Sequence, residues 1–528
     1  MKIPVAIIID NNSLSQWQKE SLDFINKYIE IKLILNCQNT NNKKFFLKHF
    51  IYYLINFFSL KNSQTLKIKY KNKKAKLVNF DSSYKGSWQR MPQDVVNALL
   101  ENNIKLVIKF GMSLLTIDER LERFDILSFH HGDPEKYRGR PAGFYEMYQD
   151  AETVGIVVQK LCNTLDSGTI FSKGYSKIFH HSYKKTALNF FLNSKYILKH
   201  AILNYTTSTV VPQEKLGENF TLPSNFTGVL FISKIIRNKI KRIIYGIFFE
   251  KQWNIAKLSN VSFEINHDQS LSIVDAQIPK IDSKYSFYAD PFFNSDGSLI
   301  RAEGLNKLTG LGEIIEFDSA NLKYQDLILH GGHYSYPFSF FYDNHEYLLP
   351  ETSSQSSQII LSNPNDIKTK AAFKGIEDLK IVDATLFEKD NIFFLFAGLS
   401  NSSMDCLYLF YSDSLSGIYK EHPFNPIVVD PTCARMGGRI QMIKGDLYRF
   451  GQNNSYGYGE KISVMKIKQL GKNFYSEERV SSINIDSVLG PHTIDIKNND
   501  ILFDFYSEDF NILAGYRRII GRINKSSK

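Results

Sequence analysis

The chain has 528 residues, of which 43% are hydrophobic and 22% charged, and its formal net charge is +10. This length exceeds one ordinary hydrophobic core, so we expect a soluble globular protein of two or three domains. The positive charge lies in local runs without a nucleic-acid-binding motif, so no nucleic-acid partner is expected. The four cysteines are widely separated and form no metal-binding spacing, which indicates a reducing compartment and no structural metal.

The first part of the chain alternates short apolar runs with helical patterns. The runs with strand character are VAIIID, IKLILN, KLVIKFG, ILSFHHG and VGIVVQKL, and the helical patterns are VVNALLENN and KTALNFFLNSKYILKHAI. Strands that alternate with helices predict a doubly wound α/β domain with a mostly parallel sheet, which we assign to residues 1–225. Ligands bind such sheets at the carboxyl ends of the strands, where FGMS and SFHHGD stand.

Two further apolar segments each allow two interpretations. Residues 45–60, FFLKHFIYYLINFFSL, predict a packed helix, with a membrane-surface or partner-binding helix as the alternative. Residues 226–250 predict a basic amphipathic helix, which either links the two domains or lies on an anionic membrane surface. No apolar run has the roughly 18 residues of a spanning helix, and the first run ends too early for a signal peptide. We therefore expect a cytoplasmic protein, either free or peripheral to the inner face of the membrane.

From residue 251 onward the chain repeats a unit of short aromatic strands and turns. Aligning the first strand of each unit makes five residues equivalent, namely Asp290, Tyr336, Asp383, Gly438 and His492. Their separations are 46, 47, 55 and 54 residues. This period predicts an all-β five-bladed propeller over residues 251–528, in which the segment KQWNIAKL completes the last blade. Because first strands line the channel of a propeller, we expect Asp290, Asp383 and His492 to lie near one another.

His130 and Asp166 are the candidate catalytic pair of the α/β domain. His130 ends a predicted strand, and Asp166 follows the next strand in the turn LDSG. Neighbouring strands would deliver this imidazole and this carboxylate to one edge of the sheet, where a carboxylate can tune a histidine base. From residue types alone, the alternative is a surface histidine and a turn aspartate in unconnected loops.

The segments SFHHGDPEKYRGRP and LDSGTI give roughly residues 1–210 a resemblance to the folate-dependent formyltransferases. The resemblance implies that His130 and Asp166 are catalytic and that Ser128 stands where the family has a catalytic asparagine. It also implies 10-formyltetrahydrofolate as cofactor, held by Phe110, Gly111, Met112, Leu114, Arg138 and Gly139. Losing a donor to a developing oxyanion typically costs about 100- to 1000-fold in rate. Either Ser128 serves in a rebuilt site, the acyl group differs, or the site is inactive.

The repeats ADPFF, SYPFSF, VDATLFEKD and CARMGGRI resemble the N-terminal propeller of the plant glucosamine inositolphosphorylceramide transferases and, more distantly, five-bladed arabinanases and xylosidases. The resemblance to these glycosidases equates Asp290 with a catalytic base and Asp383 with the carboxylate that tunes the acid. The acid itself would stand in blade four, where ARMGGRI has no glutamate, so ordinary glycoside hydrolysis lacks its proton donor.

We therefore expect the mouth of the channel to bind sugars, with Tyr336 offering its ring to a sugar face. The expected polar lining is Asp290, Glu351, Asp383, Arg435, Arg439 and His492. The alternatives are that the two aspartates only cap blade turns, or that glycosyl chemistry is retained.

The leading hypothesis is an enzyme that transfers a formyl or related one-carbon group to an amino sugar of a glycan or glycan precursor, with the propeller binding the acceptor. One alternative is a non-catalytic glycan-binding scaffold whose transferase domain is degenerate. Another is a propeller that transfers or hydrolyses glycosyl groups beside an accessory N-terminal domain. A transfer-RNA acceptor is disfavoured, because the C-terminal half does not resemble the barrel of the tRNA formyltransferases.

Overall fold

A computed structural model describes residues 2–39, 47–261, 263, 265, 267–352, 358–364, 368 and 370–519. The chain divides into two compact units, Met1–Ile240 and Lys241–Lys528. The division falls inside the segment that the sequence predicts to be a linker helix. Among the described residues, no helix is long and apolar enough to cross a membrane.

The first unit contains six helices and thirteen strands in its described part, the last helix continuing past residue 240. The helices are α1 (Gln16–Phe24), α2 (Phe50–Ser59), α3 (Gln93–Glu101), α4 (Phe144–Tyr148), α5 (Tyr183–Thr207) and α6 (Asn225–Phe248). The strands are β1 (Ile3–Asp10), β2 (Ser13–Ser15), β3 (Ile29–Cys37), β4 (Lys67–Lys69), β5 (Lys76–Phe80), β6 (Ser83–Lys85), β7 (Trp88–Arg90), β8 (Leu106–Lys109), β9 (Asp125–His130), β10 (Tyr137–Gly139), β11 (Thr153–Lys160), β12 (Ile170–Lys177) and β13 (Glu218–Phe220).

The main sheet of this unit is parallel in the order β5-β3-β1-β8-β9, and β11 and β12 extend it antiparallel at one edge. Side chains of β1 alternate between the two faces of the sheet, and Ala6 and Ile8 pack in one core cluster with Val95 of α3. On the other face, Trp17 of α1 packs against Phe129 of β9. Helices therefore cover both faces, and the predicted α/β fold class is confirmed.

Helix α2 occupies part of the apolar segment 45–60, of which Phe45 and Phe46 lie outside the described residues. The helix buries Tyr52 and Ile55, while Phe57 and Phe58 are exposed. It packs against its own unit through one face only.

The described part of the second unit consists of β-strands and loops, apart from the end of α6 and a short helical stretch at 514–519. Its first strands are β14 (Phe249–Leu258), β15 (Gln269–Leu271), β16 (Tyr285–Phe293), β17 (Leu299–Asn306), β18 (Gly312–Asp318), β19 (Tyr324–Leu329), β20 (Ser335–Tyr342), β21 (His345–Glu351), β22 (Ile359–Leu361), β23 (Lys370–Ala372) and β24 (Ile381–Lys389). The remaining strands are β25 (Ile392–Leu399), β26 (Cys406–Ser412), β27 (Lys420–Glu421), β28 (Val428–Val429), β29 (Arg435–Met436), β30 (Gln441–Ile443), β31 (Asp446–Asn453), β32 (Lys461–Leu470), β33 (Tyr475–Ile485), β34 (Ile494–Lys497) and β35 (Asp500–Phe510).

These strands form five sheets that correspond to the five predicted blades. Blade one is β16–β19, blade two is β20–β23, blade three is β24–β28, blade four is β29–β33 with β15, and blade five is β34 and β35 with β14. Strand β14 contains KQWNIAKL and runs antiparallel to β35 along its whole length, so the predicted ring closure is confirmed. The parallel addition of β15 to the outer edge of blade four was not predicted.

A β-bulge marks the equivalent residue in the first strand of blades one to three. The register slips by one residue at Asp290, Tyr336 and Asp383, and these residues have φ values of 51°, 46° and 49°. Positive φ is uncommon outside glycine, and a bulge re-aims the side chain that it carries. In blade four the equivalent residue is Gly438, with φ of 150°. The repeat seen in the sequence is thus a repeat of backbone geometry.

A largely buried ion pair ties β31 to β33 within blade four. The Arg449 guanidinium contacts the Glu477 carboxylate at 2.5 and 2.8 Å and donates to the Cys433 carbonyl oxygen at 2.8 Å. Removing one partner of such a pair leaves the other charge buried and without a counter-ion.

We expect Arg449→Leu to lower the free energy of unfolding of the propeller by about 3–5 kcal/mol, since Glu477 would lose its cation. Denaturant unfolding measures this loss. The control is Lys466→Leu, whose pair with Asp446 lies at the surface and should contribute little, because solvent screens it. Equal losses in the two variants would contradict the role given to Arg449.

Candidate functional site

The carboxyl edge of the N-terminal sheet brings His130 and Asp166 together. His130 ends β9, and Asp166 lies in the loop between β11 and β12. The distance from His130 Nδ1 to Asp166 Oδ1 is 3.4 Å, and both side chains are largely buried. The two groups therefore do not lie in unconnected loops.

Strand β10, the YRG motif, positions both members of this pair. The Gly139 N–H donates to Asp166 Oδ2 at 2.8 Å, and His130 Nε2 lies 2.9 Å from the Tyr137 carbonyl oxygen. Because a carbonyl oxygen only accepts, Nε2 of His130 carries a proton in this arrangement. Arg138 donates to the carbonyl oxygens of Gly217 and Leu165. Arg138 and Gly139 thus hold the loop that carries Asp166, and their contacts with a cofactor stay a prediction.

A cavity of about 240 Å³ opens beside Asp166. Of the predicted residues, Ser128, Asp166, Phe110 and Leu114 line it, whereas His130, Gly111 and Met112 do not. The Met112 N–H donates to Asp10 Oδ1 at 3.0 Å, and a Cβ on Gly111 would lie 2.5 Å from the same oxygen. These two residues form a tight turn around Asp10, which explains why they are not available to the cavity.

Several lining residues were not predicted, and Lys109 is the most notable of them. The further lining side chains include Trp17, Trp88, Phe129, His131 and Gln159. Lys109 is the Cα partner of Ser128 on the adjacent parallel strand and is buried. Burial lowers the pKa of Lys109 to about 8, although Asp10 and Asp166 oppose the shift. The position of this lysine inside the apolar strand KLVIKFG could have identified it from the sequence as a candidate site residue.

His131, by contrast, is a packing histidine. Its ring stacks on Phe129, and its Nε2 lies 2.9 Å from Ser194 Oγ. Burial, with a smaller effect of His130, lowers the pKa of His131 to about 3. Of the two adjacent histidines, His131 therefore stays neutral and His130 remains the candidate for proton transfer.

In the propeller, blades one and five meet at a buried charge cluster. His492 Nε2 lies 3.1 Å from Asp290 Oδ1, and His492 Nδ1 lies 2.8 Å from Asp504 Oδ2. The contact with Asp504 is an ion pair whose geometry is not that of a hydrogen bond. Thr493 Oγ1 donates to Asp290 Oδ1 at 2.8 Å. Asp504 was not predicted, because it stands in the second strand of its blade.

The cluster holds its own cation. Burial alone would lower the pKa of His492, but the charges of Asp504 and Asp290 outweigh it and raise this pKa to about 10. The ligand atoms of these three residues lie within 4.8 Å of one another, a spacing that could accept a metal ion. Since both nitrogens of His492 face carboxylates, the imidazolium fills the role that a metal would have.

Blades two, three and four contribute a second group in the same channel. Arg435 Nε contacts Asp383 Oδ2 at 2.5 Å, and Gln452 Nε2 donates to the same oxygen at 3.0 Å. The Asp383 N–H donates to Glu351 Oε2 at 3.2 Å. Burial raises the pKa of Asp383, while Arg435 opposes the shift. Asp290, Asp383 and His492 thus come together as the repeat alignment predicts, and Glu351 and Arg435 of the expected lining lie beside Asp383.

Glu303 of β17 is a buried carboxyl that sequence analysis missed. Burial and the nearby charges of Asp290 and Glu351 raise the pKa of Glu303 well above its usual range. Glu303 is therefore a protonated carboxyl among carboxylates. It lies in blade one, whereas the glycosidases have their acid in blade four, where this chain has no glutamate.

Two predicted residues have other roles than expected. Tyr336 is fully buried, and its hydroxyl contacts Thr385 Oγ1 at 2.9 Å and accepts from the Gly438 N–H at 3.1 Å. It joins blades and cannot offer its ring to a sugar. Arg439 contacts Asp495 at 3.1 Å and the Ser339 carbonyl oxygen at 2.6 Å. Asp495 and Ser339 both lie outside the group around Asp290 and Asp383.

Tyr458 has the exposed ring that was expected of Tyr336. It is 36% exposed, and its ring centroid lies 5.2 Å from that of His492. The Arg435 guanidinium lies 5.3 Å from the same ring centroid. A partly exposed tyrosine therefore adjoins the buried charges.

The raised pKa of His492 makes propeller stability depend on pH. A folded-state pKa of about 10, above the ordinary value near 6.5, gives stabilisation that is complete below pH 6.5 and is lost as pH rises towards 10. We expect the free energy of unfolding to fall by on the order of 1 kcal/mol per pH unit across this window, and His492→Gln to abolish the slope. Fluorescence of Trp253, whose ring lies 4.4 Å from His492, reports the transition in a Trp17→Phe, Trp88→Phe background. An unchanged slope in His492→Gln, or its loss in the control His345→Gln, would refute this assignment.

Comparison with known proteins gives matches of different strength for the two halves. Residues 270–493 match the family described as glucosamine inositolphosphorylceramide transferase 1, N-terminal. The enzyme of that name from Oryza sativa subsp. japonica is 33% identical over 157 residues, covering 28% of this chain and 21% of the relative. Its counterpart from Arabidopsis thaliana is 32% identical over 154 residues, covering 28% and 20%. The chain thus spans about a fifth of the length of the curated relatives it matches.

Structural similarity to solved formyltransferases is weak. Glycinamide ribonucleotide transformylase 1 from Symbiobacterium toebii has 11% identity and a TM-score of 0.29, covering 41% of this chain and 95% of that one. A sugar N-formyltransferase from Shewanella sp FDAARGOS_354 has 12% identity and a TM-score of 0.27, covering 44% and 87%. Scores this low permit no conclusion about activity. What the comparisons establish is that the propeller half is similar to the N-terminal part of the glucosamine inositolphosphorylceramide transferases.

Proposed function

We propose that this chain is a transferase in which the N-terminal unit transfers a formyl group to an amino sugar and the propeller binds the acceptor glycan. The observation that carries the proposal is the His130–Asp166 pair beside a cavity lined by Ser128, at the carboxyl edge of the parallel sheet. Asp166 and Ser128 line this cavity, and His130 contacts Asp166 from behind the lining. A proton acceptor and a hydrogen-bond donor placed in this way are what acyl transfer to an amine requires.

The cavity suits part of a folate cofactor. Its walls carry the rings of Trp17, Trp88, Phe110 and Phe129, which favour a flat heterocycle. Its volume of about 240 Å³ is just below the roughly 300 Å³ at which drug-sized sites begin, so it would hold the ring system and leave the tail outside. When bound there, 10-formyltetrahydrofolate would supply the one-carbon group.

The residues of the chain have separable roles in this proposal. An acceptor amine loses a proton as it becomes an amide, and Asp166 with His130 can take and hold that proton. The Ser128 hydroxyl can donate a hydrogen bond to the formyl oxygen. Lys109, the strand neighbour of Ser128, adds a positive charge near the same oxygen and would offset the loss of the longer asparagine.

The charge of the propeller channel favours an acceptor with a free amine. Even with protons on Glu303 and Asp383, the carboxylates of Asp290, Glu351 and Asp504 outnumber the two cations. The two cations are Arg435 and His492. The remaining negative charge would attract an ammonium group, and the exposed ring of Tyr458 could cover a sugar face. The word glucosamine in the name of the matched relatives is consistent with an amino sugar here.

A propeller that cleaves or transfers glycosyl groups is a second candidate. The observation that favours it is Glu303, a carboxyl with a raised pKa close to the charge of Asp290. Such a pair supplies the acid and the base of glycoside hydrolysis. Glycosidase turnover that is lost in Glu303→Gln, and kept in His130→Ala, would favour this candidate over formyl transfer.

Thermal unfolding with and without 5-formyltetrahydrofolate tests the cofactor. At about 100 times its dissociation constant the ligand should stabilise the N-terminal unit by about 2.7 kcal/mol, and it should quench Trp17 and Trp88 because both line the cavity. Ser128→Asn should bind at least as tightly. No shift with millimolar ligand in either protein would refute folate binding and favour the glycan-binding scaffold.

Turnover with an amino-sugar acceptor tests the catalytic pair separately. We expect Asp166→Asn to reduce kcat by about 100- to 10,000-fold while folate binding persists, since only proton transfer is removed. The control Glu122→Gln changes an exposed carboxylate of the same unit and should leave kcat unchanged. Full activity in Asp166→Asn would exclude the proposed chemistry.

Calorimetry with glucosamine-containing and N-acetylglucosamine-containing oligosaccharides tests the propeller. The first should bind more tightly because it carries an ammonium group, and Tyr458→Ala should weaken its binding by about tenfold. Tyr324→Ala, which removes an exposed tyrosine of β19, is the matched control. Equal affinity for both sugars would argue against recognition of the amine.

A further inference from the structure

The end of α6 and the C-terminal part of the described chain pack together in the propeller unit. The Asn511 N–H donates to the Phe248 carbonyl oxygen at 2.7 Å, and the rings of Phe248 and Phe510 stack with centroids 5.9 Å apart. The Arg518 guanidinium donates to the Tyr245 carbonyl oxygen at 3.1 Å, in the last turn of α6. A cation at the carboxyl end of a helix is stabilising there, so the two segments form one structural piece.

This piece exposes an unusual amount of apolar side chain. We call residues 241–248 and 510–519 the α6–C-terminal surface. Its large apolar residues are between 44 and 72% exposed, and they are Ile243, Ile244, Ile247, Phe510, Ile512, Leu513, Tyr516 and Ile519. Several are three or four residues apart in a helical stretch, as on one side of an amphipathic helix. Clustered exposure of this kind marks an interaction site.

The charge of the α6–C-terminal surface has a single sign. Its two segments contain Lys241, Arg242, Arg517 and Arg518 and no acidic residue. The adjoining strands carry the acids Glu250, Glu508 and Asp509, and Asp509 accepts from the Ser507 hydroxyl at 3.0 Å. Glu250 accepts from Asn511 at 3.0 Å and pairs with Arg517 at 3.1 Å, and Glu508 interacts with Tyr245.

We propose that the α6–C-terminal surface binds a bilayer that contains anionic lipids. Apolar side chains flanked by cations suit the boundary between acyl chains and negatively charged headgroups. A protein surface with complementary acids could neutralise the cations as well, but the many exposed isoleucines favour a fluid apolar phase over one rigid partner. This proposal stands whether or not the proposed transferase activity is correct.

Co-sedimentation of the full chain with vesicles tests the proposal. We expect binding to phosphatidylcholine vesicles that contain phosphatidylglycerol, weaker binding to phosphatidylcholine alone, and a decrease in binding as salt rises. Each cation near such a surface contributes roughly fivefold in affinity, so Lys241→Gln with Arg242→Gln should weaken binding by roughly 25-fold. Ile243→Ser with Ile247→Ser should weaken binding to both kinds of vesicle.

The matched controls are Lys323→Gln and Leu308→Ser, which change an exposed cation and a 95% exposed leucine of blade one. They should bind as the unsubstituted chain does, and circular dichroism should show that all variants are folded. Absence of binding to phosphatidylglycerol vesicles at low salt would overturn the proposal, as would equal losses in test and control variants. If the chain associates with itself in the absence of vesicles, and Ile243→Ser abolishes this association, the surface binds a second copy of the chain instead of a bilayer.

Discussion

The propeller depends on the ion pairs that His492 makes with Asp290 and Asp504. A ring of blades is closed only when the first and last blades are fastened, and this imidazolium lies between a carboxylate of blade one and a carboxylate of blade five. Strand β14 closes the same joint by backbone pairing with β35, and its Trp253 packs on the His492 ring. Charge, hydrogen bonding and aromatic packing therefore converge on one place. Because all three groups are buried, removing His492 leaves two carboxylates in the core without their cation.

This joint is also where the candidate sugar site lies. The carboxylates that would attract an amine are the groups that hold the blades, so they are fixed in position before any ligand arrives. Such preorganisation suits a binding site, since the channel does not need to rearrange. It also divides the residues into two kinds. Asp290 contributes both to the stability of the fold and to the candidate site. Tyr458 lies at the surface, and its contacts would serve the ligand without being needed for folding.

The sequence was informative wherever a repeat or a strand end was involved. Equivalent positions in five blades located Asp290, Asp383 and His492, because the spacing of first strands is visible in a sequence. Glu303 and Asp504 stand in second strands, which lack a positional marker, and the pKa shifts depend on burial that only the fold creates. In the N-terminal unit the strand ends located His130 and Asp166, but Gly111 and Met112 lie outside the cavity lining. Their neighbour Asp10 is about 100 residues away in sequence, so the turn around it could not be foreseen.

The closing strand has a consequence for how the protein is made. Residues 249–258 leave the ribosome before the blades, yet their partner strand, residues 500–510, is synthesised some 240 residues later. At a synthesis rate of about 5–20 residues per second, β14 remains without its partner strand for roughly 10 to 50 seconds. During that interval the nascent chain presents an unpaired strand edge and the ring of Trp253 to its surroundings. We therefore expect the unfinished propeller to be the stage most exposed to association with other chains, whereas the N-terminal unit, whose strands are already complete, can fold before that stage ends.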